Sequence, residues 1–172
     1  MRIVNSDGRD DRLILEASSP ATYFAWSPDG KKIAFLDDGL MVMNSDGAEL
    51  RHIAYLSPPG CHINPVYWSP DNRSLAIVSS SQRRSCTDWS IKAFENTNIY
   101  LVNIQSGETH PLLADGIQGN IDPAWSPDGK QIAFVSIRSG SPEIWVVNAD
   151  GSNLRQLTSA GQPVRFPFWS SR

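Results

Sequence analysis

The chain has 172 residues, of which 40% are hydrophobic and 19% are charged, and its formal net charge is −3 at pH 7. These values are typical of a soluble protein with one sizeable core. The acidic balance argues against broad electrostatic binding to nucleic acid, which needs clustered lysine and arginine. Membrane insertion is not expected either, because no apolar run approaches the roughly 20 residues of a spanning helix. Residues 1–4 show no apolar signal-peptide core.

An internal repeat is the main signal in the sequence. The run Trp-Ser-Pro-Asp-Gly starts at Trp26 and Trp125, a copy with asparagine in the last place starts at Trp68, and a clipped copy starts at Trp169. Successive copies are about 43 residues apart, except for one longer interval. This period is typical of propeller blades. The longer interval indicates an insertion into the second repeat.

In chain order, the segments between turn clusters are rich in β-branched and aromatic residues, which favour strands over helices. Four such strands per repeat, A to D from the inside outwards, would form one antiparallel blade. The predicted units are strands C and D of a partial blade at 1–16, a blade at 23–56, a blade at 64–113 with an insertion at 79–96, a blade at 121–158, and strand A of a further blade at 164–172.

The turn after each motif tryptophan has a chemical explanation. Proline presets φ for the first corner, aspartate suits the second, and glycine adopts the positive φ that follows. Asn72 stands in the glycine position of the second repeat. Because asparagine tolerates positive φ better than most residues, this exception supports the predicted turn.

The run W-S-P-D-G-K-x-I-A-F followed by N-x-D-G-x-x-x-x-L resembles the TolB-type, WD40-like (PD40) β-propeller repeat family. The resemblance implies an all-β propeller of four-stranded antiparallel blades. It further implies a non-catalytic, protein-binding or scaffolding role in the cell envelope, in the periplasm or outside the cell, without a cofactor. One alternative is the non-catalytic propeller of a prolyl-oligopeptidase-like serine peptidase. Another is a carbohydrate-active propeller enzyme.

The phase of the repeats leaves three interpretations of the whole assembly open. The chain starts in mid-blade and stops after a strand A, so about three complete blades have partial blades on both sides. It is a fragment of a larger propeller, or it assembles with other chains into a ring, or it is a defective four-bladed ring or open array. Exposed blade edges favour pairing with another chain, so self-association is expected for an open form.

Two loops of the second blade carry the cysteines. Cys61 lies in the predicted D–A loop and Cys86 in the B–C insertion, so both are expected on one face. A disulfide between them is one expectation and would favour an extracytoplasmic compartment, and two free thiols are the alternative. No metal site is expected, because the cysteines and their neighbours show no recognised ligand spacing.

The insertion also carries Arg83, Arg84 and Trp89, residue types that are enriched at interface hot spots. They are candidate contacts to an envelope protein or an appended domain, and a solvated loop is the alternative. A second candidate set precedes the motif tryptophans and is expected at the mouth of the central channel, where it either binds a partner or only faces solvent: Tyr23, Asn64, Asp122 and Arg165.

Catalytic motifs are missing from the sequence. It contains no G-x-S-x-G elbow, no H-E-x-x-H and no P-loop. The aspartates of the turns recur in every repeat, so the turn explains them better than a unique reaction does. Asp122 is the only acid expected in the channel. The sequence therefore predicts a protein that is not an enzyme.

Overall fold

The computed structural model describes residues 1–16, 22–37, 39–55, 66–80, 96–117, 119–159 and 161–170. These residues form fourteen β-strands and no helix. The strands are β1 (Arg2–Ile3), β2 (Arg12–Leu13), β3 (Thr22–Trp26), β4 (Lys32–Asp37), β5 (Gly39–Asn44), β6 (Arg51–Ala54), β7 (Tyr67–Trp68), β8 (Ser74–Ser80), β9 (Thr97–Asn103), β10 (Thr109–Pro111), β11 (Asn120–Trp125), β12 (Gln131–Ser136), β13 (Glu143–Asn148) and β14 (Arg155–Gln156).

The strands form three four-stranded sheets and one two-stranded sheet, all of them antiparallel. Each four-stranded sheet follows chain order, β3 to β6, β7 to β10 and β11 to β14, and the hairpin β1–β2 stands before them. We call the three sheets the first, second and third blade. The inner strands β3, β7 and β11 contact one another in turn. The all-β, four-stranded blade architecture expected from the repeats is confirmed.

The blades stack face to face because their second strands are apolar on both sides. In β4, Ile33 and Phe35 pack against the hairpin β1–β2, whereas Ala34 and Leu36 pack against the second blade. The second blade in turn shares a core with the third, which includes the fully buried Phe134. Strand side chains alternate between faces, so a continuous apolar run fits a strand that is buried on both sides.

The hairpin turns have the predicted backbone geometry. Gly30 and Gly129 have φ values of 69° and 70°, and Asn72 at the equivalent place has a φ of 61°. All three residues therefore occupy the left-handed region that the turn requires. The expectation that asparagine replaces glycine in the second blade is confirmed.

A glycine in the C–D turn of each blade meets the backbone of the preceding blade. A Cβ added to Gly107 would lie 2.6 Å from the carbonyl oxygen of Ile53, which no real side chain allows. The same contact occurs between Gly47 and Ile14 and between Gly151 and Leu112, at 2.6 Å and 2.9 Å. This repeated approach shows that the hairpin β1–β2 docks on the first blade as one complete blade docks on the next.

Residues 161–170, which include most of the segment predicted as a further strand A at 164–172, form no β-ladder. The inner strand of each complete blade pairs with its own second strand, and residues 161–170 pair with no such strand within the described part of the chain. The segment is held instead by Val164, whose N–H donates to the carbonyl oxygen of Pro142 at 3.1 Å, and by side-chain contacts.

Candidate functional site

The motif tryptophans link neighbouring blades along the inner wall. The last three donate their indole N–H to the carbonyl oxygen of the residue that precedes the tryptophan of the blade before. The pairs are Trp68 with Ala25 at 3.0 Å, Trp125 with Tyr67 at 3.3 Å, and Trp169 with Ala124 at 2.9 Å. Because one contact repeats from blade to blade, these tryptophans hold the three blades and residues 161–170 together. We call this series the tryptophan ladder.

The repeated serine and aspartate of each turn are bound to that turn. In the third blade the Ser126 hydroxyl donates to Asp128 at 2.7 Å, and the Lys130 N–H donates to the same carboxylate oxygen at 3.1 Å. The first and second blades repeat this arrangement. The hydrogen bond from the serine, followed by the bond from the backbone N–H, holds the pKa of Asp128 below its usual value. These carboxylates are therefore structural.

Replacing all three turn aspartates with asparagine should flatten the acid side of the stability profile. A carboxyl group whose folded pKa is lowered contributes stability above its unfolded pKa, about 3.9, and this contribution is lost as the pH falls through the folded value. We expect Asp29→Asn/Asp71→Asn/Asp128→Asn to lower the melting temperature at pH 7. Between about pH 4 and 2 the melting temperature of this variant should then fall less than that of the wild type. Calorimetry at several pH values measures both effects. Glu16→Gln, an exposed carboxylate outside the turns, is the control, and an unchanged acid slope in the triple variant would contradict the assignment.

Asp122 and Arg165, two of the residues predicted at the channel mouth, form an ion pair. Arg165 Nε donates to Asp122 Oδ2 at 2.6 Å, and the side chain of Asp122 is 2% exposed against 30% for Arg165. The backbone N–H of Phe166 reaches the same oxygen at 3.5 Å. The pair therefore ties the segment 161–170 to the inner strand of the third blade.

A bulge in the inner strand directs Asp122 into this position. The register of β11 shifts between Ile121 and Ala124, and Asp122 has a φ of 52°. Such a bulge turns a side chain away from the strand's regular alternation. Nearby, burial raises the pKa of Tyr67 to about 12, the charge of Asp122 adds to the increase, and Arg165 opposes it. The phenol therefore stays protonated and neutral at physiological pH.

A second buried polar cluster, centred on Arg138, was not anticipated from the sequence. Its guanidinium donates to Ser136 at 2.9 Å, to Asp115 at 2.9 Å and to Asn120 at 3.1 Å. Asn120 donates in turn to Asn98 of the second blade at 3.1 Å. The Arg138 side chain is only 5% exposed. An arginine two residues after the end of the apolar strand β12 was the available signal, because a buried charge in that position needs partners.

The Arg138 cluster lies between a loop within the third blade and the connection that enters this blade from the second. Residues 137–142 connect β12 to β13, and residues 112–119 lead from β10 into β11. In an antiparallel sheet these two connections lie at the same end of the strands, opposite the Ser-Pro-Asp turns. We call this end of the blades the loop face. The cluster fixes these two segments to each other and to the second blade.

The remaining predicted site residues are distributed as follows. Tyr23 is half-buried in the bulge of β3 and has a φ of 57°, so it occupies the position that corresponds to Asp122. The other predicted residues of the channel mouth, the D–A loop and the insertion lie outside the described residues: Asn64, Arg83, Arg84, Trp89, Cys61 and Cys86. Their roles stay predictions.

No group of three or more histidine, cysteine or acidic residues in the described ranges could hold a metal ion.

A groove of about 350 Å³ between the second and third blades brings Asp71, Asp128, Glu108 and His110 to the turn side. The two aspartates there are already bound within their turns. The described ranges contain no helix long and apolar enough to cross a membrane.

Sheets that stack around a shared inner wall and are joined by the tryptophan ladder define this protein as a β-propeller. The model of the TolB beta propeller domain family (PD40) matches residues 1–172, so the chain belongs to that family.

Several known proteins resemble the chain in sequence or fold. It is 31% identical over 108 residues to the uncharacterized peptidase YuxL of Bacillus subtilis, and 33% identical over 106 residues to dipeptidyl-peptidase 5 of Porphyromonas gingivalis. These matches cover 62% and 61% of the chain but only 15% of each relative. The crystal structure of TolB from Acinetobacter baumannii shares the fold, with a TM-score of 0.66 and 23% identity over 94% of the chain and 38% of that structure. The chain thus spans well under half of these proteins.

Proposed function

We propose that the chain is a non-catalytic, protein-binding part of an extracytoplasmic propeller protein, and that its loop face receives the partner. One observation carries the proposal: two buried charged side chains near the inner wall and the loop face hold loops and blades in place. Asp122 is committed to Arg165, and Arg138 is committed to Asp115 and Asn120.

Rigid support of this kind suits binding. Loops that are fixed in advance lose less conformational entropy when a partner docks, so more of the contact energy becomes affinity. The same commitment leaves Asp122 poorly suited to acid or base chemistry, because its buried carboxylate is already bound by the guanidinium of Arg165. A periplasmic or secreted location is part of the proposal and rests on the kinship with TolB.

Replacing the three insertion residues should weaken partner binding without changing stability. We expect Arg83→Ala/Arg84→Ala/Trp89→Ala to raise the Kd for an envelope protein at least about tenfold, because hot-spot truncations cost about 2 kcal/mol or more. The partner is first identified by cross-linking in an envelope extract, and its affinity is then measured with purified protein. The melting temperature should be unchanged.

The control for this experiment removes two exposed cations from the opposite side of the blades. Lys31→Ala/Lys130→Ala alters the Ser-Pro-Asp turns, where no partner is proposed. Equal affinity of the wild type and the insertion variant would reject the insertion as the contact. Equal weakening by both variants would indicate non-specific charge attraction.

A second candidate function is the propeller domain of a serine peptidase. The two peptidase relatives favour it, because they are 31% and 33% identical to the chain over 108 and 106 residues. The coding sequence around this segment distinguishes the candidates. A following domain with a G-x-S-x-G elbow supports the peptidase, whereas a signal peptide with further Trp-Ser-Pro-Asp-Gly blades and no hydrolase supports the binding protein.

A further inference from the structure

The groove on the turn side between the second and third blades differs in three side chains from the equivalent place between the first and second blades. We propose that this groove binds the arginine side chain of a short peptide, with the carboxylates of Asp71, Glu108 and Asp128 around the guanidinium. The peptide is separate from the protein partner proposed for the loop face, because the groove opens on the opposite side. Two complete blades form its walls.

At the boundary between the first and second blades, two side chains cross from one blade to the other. Asn72 Oδ1 of the second blade accepts the backbone N–H of Asp29 at 3.1 Å. Arg51 of the first blade donates from Nη2 to the carbonyl oxygen of Gln105 in the second blade, at 3.3 Å. The chain therefore closes the turn side of this boundary with its own amide and guanidinium groups.

A second cation of the chain lies at the same boundary. Lys32 is on the same side of β4 as Ala34, which packs against the second blade. Its Nζ donates to Asn44 Oδ1 at 3.1 Å. The turn side of this boundary thus holds one lysine and one arginine next to the acidic turns, and these two residues show which chemistry complements the acidic groups.

The boundary between the second and third blades has shorter side chains at the same positions. Ser74 takes the place of Lys32, because each pairs with the asparagine that ends the third strand of its blade. His110 takes the place of Arg51, because each pairs with the residue two positions before that asparagine. Neither side chain forms a hydrogen bond across this boundary to another described residue, so both cations of the filled boundary are missing here.

The third difference is a glycine in the turn. Gly129 takes the place of Asn72 and has a similar φ, 70° against 61°. With no side chain at this position, the backbone N–H of Asp71 lacks the amide acceptor that Asn72 gives to Asp29. A carbonyl oxygen of a bound peptide would supply that acceptor.

The groove that results has the size and charge of a small-ligand site. Its volume of about 350 Å³ falls within the usual range for such sites, and its described lining includes three carboxylates but neither lysine nor arginine. The turn bonds of Asp71 and Asp128 all go to Oδ1. Oδ2 of each aspartate therefore remains to accept from a ligand, and the planar fork of donors of a guanidinium suits carboxylates in this way.

Two apolar residues of the groove suit the rest of an arginine side chain. Trp125 lines the inner end, and its indole N–H is already bound to Tyr67, so the ring is what remains for a ligand. Guanidinium groups stack on aromatic rings, as Arg138 does on Trp145 at 5.1 Å. Leu101 is buried in the groove wall and can contact the aliphatic stem.

The test is a calorimetric titration of the 172-residue chain with the blocked tripeptide Ac-Gly-Arg-Gly-NH2 at low salt. We expect a Kd of about 1 mM or below, which rises with added salt because the charges are near the surface. The same tripeptide with citrulline, which has the shape of arginine without its charge, should bind at least about fivefold more weakly, since it loses its ion pairs. Equal affinity for both peptides would overturn the inference.

A variant that fills the groove tests its position. Ser74→Lys/Gly129→Asn gives this boundary two of the side chains that fill the boundary between the first and second blades. The fold should tolerate the change, because asparagine accepts positive φ and a Cβ at Gly129 would meet only Pro70 Cδ, at 3.7 Å. We expect the Kd for the arginine peptide to rise at least about tenfold, because the new lysine repels the guanidinium, while the melting temperature does not fall.

A milder variant with a matched control completes the test. Glu108→Gln removes one exposed carboxylate of the groove and should raise the Kd about two- to fivefold, the value of a surface ion pair. Glu49→Gln changes the equivalent residue at the filled boundary and should bind like the wild type. Absence of binding to the wild type, an unchanged Kd in the filled variant, or equal effects of Glu49→Gln and Glu108→Gln would each overturn the inference.

Discussion

Phe134→Ala should lower the free energy of unfolding by about 3–5 kcal/mol, which is the usual cost of removing a phenylalanine from a packed core. Phe134 is fully buried between the second and third blades, where it packs in the core shared with Ile99, Leu101 and Val147. The guanidinium of Arg138 lies 5.7 Å from its ring centroid. Truncation therefore leaves a cavity and also removes the ring against which the Arg138 guanidinium lies. Urea unfolding followed by tryptophan fluorescence measures the loss.

Phe168→Ala is the matched control for this prediction. The same side chain is removed, but Phe168 is 89% exposed, so the change should stay within about 0.5 kcal/mol, as is usual for surface substitutions. If Phe134→Ala lowered the free energy of unfolding no more than Phe168→Ala does, the second and third blades would not share the core described above.

Arg165→Met should destabilise the protein by about 3 kcal/mol at pH 7, near the lower limit for breaking a buried ion pair. The reason is the asymmetry of the pair: the carboxylate of Asp122 is almost fully buried, so it loses its cation without gaining water. The cost stays at the lower limit because undocking residues 161–170 would expose the carboxylate again. Methionine keeps most of the aliphatic packing of the arginine.

A double-mutant cycle separates this effect from general damage. Asp122→Asn should cost only about 1 kcal/mol, because Arg165 is 30% exposed and can turn towards water. The double variant Asp122→Asn/Arg165→Met should be more stable than Arg165→Met alone, since it contains no buried charge. Strictly additive losses would show that the two side chains do not act as a pair.

The repeat, the blade pattern and the turns could be predicted from local sequence. Proline, aspartate and glycine or asparagine specify the hairpin by their own φ preferences, as Asn72 shows. The apolar runs of the second strands likewise specify sheets that are covered on both faces. These features depend on residues a few positions apart, so they can be predicted from short stretches of sequence.

The arrangement of the candidate site depends on contacts between blades, and these contacts could not be predicted from the sequence. Asp122 and Arg165 were both expected at the channel mouth, but their pairing required the bulge in β11 and the course of residues 161–170. Arg138 was missed because its partners Asp115, Asn120 and Asn98 lie in other strands and loops.

The sequence by itself determined the class of this protein: an all-β propeller whose blades are closed by Ser-Pro-Asp turns. Only the tertiary structure decided which charged groups hold blades and loops together and which large apolar side chains are buried between blades. The physical reason is the range of the interactions. Turn geometry and strand alternation are local, whereas burial of a charge or exposure of an aromatic ring depends on what the neighbouring blade places against it.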